Sequence, residues 1–176
     1  MSETSRATLG KYLLLLGRLA LAGIFLYAAY AKLHPQGTTP WSVASTKTSL
    51  LLFAMQVDSY QLLSSSQANL VAHLLPFVEL FLGLWLLSGL WFRASSIATT
   101  LLLGGFFALM VRTYAMGLEI NCGCFGPGER LGPKSLLRDG SLLALSIAIA
   151  IGAFVIARRK NSSPPITRAA ELQQAP

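Results

Sequence analysis

Four long apolar runs constrain this chain more than any other feature of its sequence. They cover residues 12–33, 70–92, 94–116 and 136–157. A helix needs about 20 mostly apolar residues to cross the hydrocarbon core of a bilayer, and each run is long enough. Only 12% of the residues are charged, whereas a soluble domain usually has about 25%. The sequence therefore predicts an all-α polytopic membrane protein, a bundle of four transmembrane helices.

The segments outside the runs differ in character. Residues 1–11 form a short N-terminal segment, residues 12–157 form the membrane domain, and the polar, proline-containing stretch 158–176 is typical of a disordered basic tail. The loop 34–69 is longer than most connections, and part of it could form an amphipathic helix on the outer surface or a cap over the bundle. Arg93 alone separates the second and third runs, which predicts a tight antiparallel hairpin.

The first run resembles a signal peptide only superficially. A small-residue pattern at Ala29-Tyr30-Ala31 could be a cleavage site. However, the run is too long for the apolar part of a typical signal peptide, and Arg18 interrupts it. We expect an uncleaved first helix.

Basic residues at the ends of the runs indicate the orientation. Four spans place both termini on one side, and that side would carry the dense cluster 158–160 directly after the last run. The other side would carry fewer basic residues: Lys47, Arg130 and Lys134, with Lys32 and Arg138 at its boundary. We expect cytoplasmic termini in a bacterial inner membrane, with the long loop and the loop 117–135 outside. The net charge of +7 does not indicate nucleic-acid binding, because the basic residues do not form one face.

The chain has two cysteines, Cys122 and Cys124, and they lie one residue apart in the stretch INCGCFGPGER. Outside the cytoplasm, disulfides persist. A bridge between these two would close a very small ring in which the usual disulfide geometry is hard to reach, and strained exposed disulfides are the labile ones. It would also stabilise the fold little, because it closes almost no loop. This spacing favours a redox-active pair over inert cysteines or metal ligands. A metal site would need more ligands, and the only histidines are His34 and His73.

Ionisable side chains inside the runs are the second group of candidates, because charges in a bilayer are costly and often functional. Glu79 is the deepest, and we expect it to be neutral or paired with a cation such as Arg18 or Arg112. It could relay protons or contact a quinone, or it could only fix helix packing. Arg112 and His73 are further candidates for binding a quinone, although His73 could equally be a packed or interfacial histidine. No other cofactor is indicated.

Four stretches, in the same order as the four runs, resemble the MauE/DoxX family of small redox-associated membrane proteins. They are GRLALAGIFLYAAYAKLHP, LPFVELFLGLWLLSG, INCGCFG and SLLRDGSLLAL. The second stretch has Pro76, Glu79 and Gly83 in the matching places, and the cysteine stretch resembles the MauE-type branch. The resemblance extends over about residues 11–157.

The resemblance implies a four-helix integral membrane protein linked to disulfide chemistry. MauE is associated with methylamine utilisation, where it is thought to help mature a disulfide-rich dehydrogenase subunit, and DoxX relatives are associated with thiol and sulfur redox chemistry. The expected role is electron or disulfide transfer through Cys122 and Cys124 to or from an extracytoplasmic thioredoxin-like protein or disulfide-rich client. The alternatives are a non-catalytic scaffold or assembly subunit and, third, a small-molecule transporter. Methylamine itself is implied by the family alone.

Overall fold

Five α-helices make up most of the described chain, which in this computed structural model comprises residues 3–34, 42–122 and 130–161, with side chains for 9–10, 12–34, 42–122 and 130–155. The helices are α1 (Glu3–Leu33), α2 (Val43–Asp58), α3 (Ser65–Ser88), α4 (Phe92–Ala115) and α5 (Pro133–Asn161). Within those ranges the only β pairing is an isolated antiparallel bridge between Asn121 and Arg130.

Four of these helices are long and apolar enough to cross a membrane. The spanning stretches are Tyr12–Leu33, Ser65–Ser88, Phe92–Ala115 and Pro133–Val155. The predicted fold class, an all-α polytopic membrane protein, is therefore confirmed. α1 and α4 end at one end of the bundle, and α3 and α5 begin there. The connection between α4 and α5 lies at the same end. We call this the cysteine end, because Cys122 lies in that connection.

The turn between α3 and α4 lies earlier than the sequence predicts. α3 ends at Ser88, Gly89 adopts the left-handed conformation with φ 69°, and Arg93 lies in the first turn of α4 rather than between the helices. The apolar run hides this turn because Leu90 and Trp91, which form it, are large hydrophobic residues that are 67% and 80% exposed. Hydropathy alone cannot separate a turn made of such residues from the helices beside it.

The four long helices pack as two pairs that contact each other. α1 packs mainly on α3, α4 packs mainly on α5, and contacts between α1 and α5 and between α3 and α4 join the pairs. Away from the cysteine end, one buried cluster consists of Leu21, Ala22, Leu86 and Ile149. Gly83 makes this packing close, because a Cβ atom there would lie 2.9 Å from Leu26 and 3.3 Å from the backbone oxygen of Ala22.

The short helix α2 covers the bundle at the cysteine end. Its 16 residues would extend about 24 Å, which is less than the thickness of the hydrocarbon core. Ser42 and Ser45 form a capping box at its start. Its buried Phe53 and Ala54 pack against Ala72 and Leu75 of α3, and they form a second core cluster with them. The loop 34–69 therefore contains a helix that caps the bundle rather than a loose connection.

Candidate functional site

A buried ion pair joins α1 to α3 at the cysteine end. The ammonium group of Lys32 donates hydrogen bonds to both carboxylate oxygens of Glu79, at 2.9 Å each. The two residues are only 4% and 6% exposed. The same ammonium lies 5.3 Å from the ring centroid of Phe53 in α2. Charges inside a membrane protein are costly unless they are paired, and this arrangement pairs them while holding three helices together.

The expected cation beside Glu79 is present, but it is neither Arg18 nor Arg112. Lys32, which the sequence placed at the outer boundary of the first span, provides it from inside the bundle. The reason is a stagger between the helices. Glu79 lies 14 residues into α3, about 20 Å from its start, yet it meets the last turn of α1. α3 therefore extends well beyond the end of α1, and α2 packs against the extension.

Arg18 and Arg112 lie elsewhere. The Arg18 guanidinium is 5.7 Å from the ring centroid of Phe92, and it lies over Gly89, so it belongs to the end of the bundle opposite the cysteines. Arg112 is exposed in the last turn of α4. His73 is exposed on α3, where its Nδ1 is 2.8 Å from the backbone oxygen of Asn69. The quinone role of Arg112 and His73 stays a prediction. Neither residue is among the described residues that line the cavity beside Glu79.

That cavity lies next to the ion pair and has a volume of about 70 Å³. All five helices contribute to its wall. Its polar or ionisable lining residues are Lys32, Gln56, Tyr60, Glu79, Cys122 and Asp139. The remaining wall is apolar, and it includes four aromatic rings: Phe25, Phe53, Phe106 and Phe107. Because polar groups from distant parts of the sequence converge here, this is the candidate site.

Cys122 is 4% exposed and lies on the cavity wall. Its backbone oxygen accepts a hydrogen bond of 2.9 Å from the hydroxyl of Tyr60, which follows α2. The loop is also closed at its base, because the backbone N–H of Leu131 donates to the oxygen of Ile120 at 2.8 Å. Cys124 lies in 123–129, outside the described residues. Tyr60 therefore attaches the backbone of Cys122 to the end of α2, and the hydrogen bond between Leu131 and Ile120 closes the loop beside it.

Asp139 is a site residue that the sequence did not single out. It is 8% exposed near the start of α5, and it lines the cavity. Arg138 donates to its two carboxylate oxygens at 3.1 and 3.2 Å. Within the described ranges, no three His, Cys, Asp or Glu side chains are close enough to hold a metal ion.

The fold and the site define a polytopic membrane protein that holds a cysteine loop against a cavity with a buried ion pair. The family model of methylamine utilisation protein MauE matches residues 10–154, which is more than half of the 176 residues. The chain therefore belongs to the MauE family, and the resemblance to MauE is confirmed. Comparisons with curated protein sequences and with solved structures give no match. The family links this membrane protein to methylamine utilisation.

Proposed function

We propose that the protein carries out thiol–disulfide exchange between Cys122-Cys124 and an extracytoplasmic thioredoxin-like protein or disulfide-rich client. The observation that carries the proposal is the position of Cys122, which is anchored by Tyr60 on the wall of a cavity that also contains Lys32 and Glu79. A cysteine that only shaped a loop would need no ionisable groups beside it. Membership of the MauE family supports a role in maturing proteins for methylamine utilisation.

The chemistry needs no group beyond the two partners. One cysteine thiolate attacks a sulfur of the partner's disulfide, which forms a mixed disulfide and releases the partner's other sulfur as a thiolate. The second cysteine then attacks the mixed disulfide and closes the Cys122–Cys124 bridge. Two electrons move from the loop to the partner, which leaves with two thiols after protonation. The reverse sequence oxidises the partner by the same steps.

This role requires the cysteine loop to face an oxidising compartment. We propose the inner membrane of a bacterium, with both termini in the cytoplasm and the cysteine end outside. A membrane-impermeant thiol reagent applied to intact spheroplasts after mild reduction should label the loop cysteines. A reporter fused after Pro176 should be active in the cytoplasm. Labelling that requires cell lysis would reverse the orientation and remove the oxidising context.

The direct test is to trap the mixed disulfide. Cys124→Ser and Cys122→Ser each leave one cysteine in the whole chain, so any covalent adduct is unambiguous. One of the two variants should accumulate a mixed disulfide with a soluble partner that is reducible and identifiable by mass spectrometry. Asn121→Ser, an exposed neighbour in the same loop, is the matched control and should mature the partner like the parent.

The scaffold alternative gives the opposite result. If the protein only assembles other subunits, the variant without both cysteines should support partner maturation as well as the parent does, at the same protein level. Loss of maturation together with loss of the protein from the membrane would indicate a structural loop.

A further inference from the structure

The cavity beneath Cys122 combines two properties that are rarely found together inside a membrane bundle. Its walls are mostly apolar, and yet two carboxylates, an ammonium, a phenol, an amide and a thiol-bearing residue all border it. Empty cavities in proteins are typically apolar throughout, whereas polar cavities hold ordered water. One water needs about 10–15 Å³ of such volume and two to four polar partners. A cavity of about 70 Å³ with this lining has room for several waters.

We propose that this cavity is a hydrated chamber through which the Lys32–Glu79 pair controls the ionisation of the Cys122 thiol. The inference rests on the proposed function, since it concerns the reactivity of the same cysteine. When the thiol ionises, chamber water carries its proton towards the Glu79 carboxylate, and the neutralised carboxyl leaves the Lys32 charge facing the thiolate. One proton moves and no electrons do. The proton later protonates the thiolate that the partner releases.

The other ionisable groups around the chamber do not offer the same control. The hydroxyl of Tyr60 donates a hydrogen bond to the backbone oxygen of Cys122. Asp139 is paired with Arg138 on its own helix. The lining that α4 contributes is apolar: Leu102, Leu103, Phe106 and Phe107. Lys32 and Glu79, in contrast, belong to different helices, and their ammonium and carboxylate groups lie 2.9 Å apart on the chamber wall.

Charge removal from each partner should therefore shift the reactivity of Cys122 in opposite directions. The full chain with Cys124→Ser, in nanodiscs, is treated with iodoacetamide across a pH series, and the midpoint of Cys122 alkylation is measured. Glu79→Gln leaves the ammonium uncompensated, so the midpoint should fall by about 1 pH unit, whereas Lys32→Met leaves the carboxylate and should raise it by about as much. Glu119→Gln is the matched control, because Glu119 is exposed and nearer in sequence, and it should leave the midpoint in place.

The single variants leave a buried charge without its partner, so either could fail to accumulate. The double variant Lys32→Met/Glu79→Gln removes both charges and keeps the shape. Its midpoint should lie between those of the two single variants, because neither charge then acts on the thiol. A double variant shifted as far as either single one, or single variants that shift in the same direction or not at all, would overturn the inference.

Hydration is tested separately by cysteine accessibility. In a background with Cys122→Ser and Cys124→Ser, Ala28→Cys places a thiol on the chamber wall, and Tyr27→Cys places one on the adjacent outer surface of α1. A small cationic methanethiosulfonate reagent should modify position 28 at least tenfold faster than position 27, because it needs water. Equal rates, or no reaction at position 28, would contradict a hydrated chamber.

These outcomes separate the chamber from the exchange reaction. If the midpoints of Cys122 alkylation shift in opposite directions but no partner adduct forms, the chamber is supported and thiol–disulfide exchange is contradicted. A trapped partner adduct with unmoved midpoints would do the reverse.

Discussion

The two ends of the bundle are built differently. Away from the cysteines, the interior is closely packed: Leu21, Ala22 and Leu86 are almost completely buried, and the buried hydroxyls of Ser95 and Thr99 donate to backbone oxygens of their own helix. At the cysteine end, the short helix α2 covers the bundle, the Lys32–Glu79 ion pair is buried, and a cavity remains beside the pair. Close packing stabilises helix contacts, whereas buried charges and voids lower the stability of the fold. They are therefore expected mainly where function needs them. The difference teaches that one end is stabilised by close packing, whereas the other keeps an ion pair and a void beside the candidate site.

The strongest test of this comparison is to break the ion pair. Glu79→Leu leaves the Lys32 ammonium buried without its carboxylate, and it should destabilise the protein by about 3–5 kcal/mol. The measurement is the fraction of monodisperse protein that remains after heating in detergent.

The matched control for that prediction is Lys32→Met/Glu79→Leu. Replacing both charges by apolar residues of similar size should recover most of the loss, because neither member of the pair is then left without its partner. A double variant as unstable as Glu79→Leu would show that packing at these positions, not charge, determines stability there.

A smaller effect is expected from filling space at the opposite end. Gly83→Ala brings a Cβ against the Leu26 side chain and the backbone oxygen of Ala22, and it should cost about 1–3 kcal/mol through overpacking. Gly105→Ala is the control, because nothing lies within 4 Å of the added atom, and it should be neutral or slightly stabilising. Thermal unfolding of both variants measures the contrast. Equal losses would mean that the two positions are packed alike.

The smallest effect concerns the anchor of the cysteine loop. Tyr60→Phe removes the hydrogen bond of 2.9 Å to the backbone oxygen of Cys122, so it should weaken the attachment of Cys122 by about 0.5–1.5 kcal/mol without changing global stability. Alkylation of Cys122 in a Cys124→Ser background should become several-fold faster. Tyr114→Phe, on the exposed last turn of α4, should not change that rate. An unchanged rate in Tyr60→Phe as well would separate the hydrogen bond from the reactivity of the loop.

The helices could be predicted from sequence because hydropathy and length determine them locally. Their ends were less accessible, since the turn at Leu90 and Trp91 is as apolar as the spans that it joins. A cap over the bundle was the favoured interpretation of the loop 34–69, but the bounds of the helix α2 could not be predicted. Its 16 residues are too few for a span, and its buried face depends on α3.

The site was only partly accessible for a related reason. The cysteine spacing and the intramembrane carboxylate of Glu79 are visible in the sequence. Its partner was missed because Lys32 looks like an ordinary basic residue at the end of a span, and the stagger between α1 and α3 leaves no local signal. Tyr60 was missed because its partner is a backbone oxygen 62 positions away.

The pairing of Lys32 with Glu79 also has a consequence for synthesis in the cell. The two residues are 47 positions apart, which corresponds to roughly 2 to 10 seconds of translation. During that interval the first helix enters the bilayer with its lysine near the end, where a long side chain can reach the headgroups. Glu79 is synthesised later, in a segment that is apolar enough to insert, and it pairs with the ammonium of Lys32, which is already in the membrane. In the nascent chain, the ion pair therefore forms only after the translocon has placed α1 in the membrane.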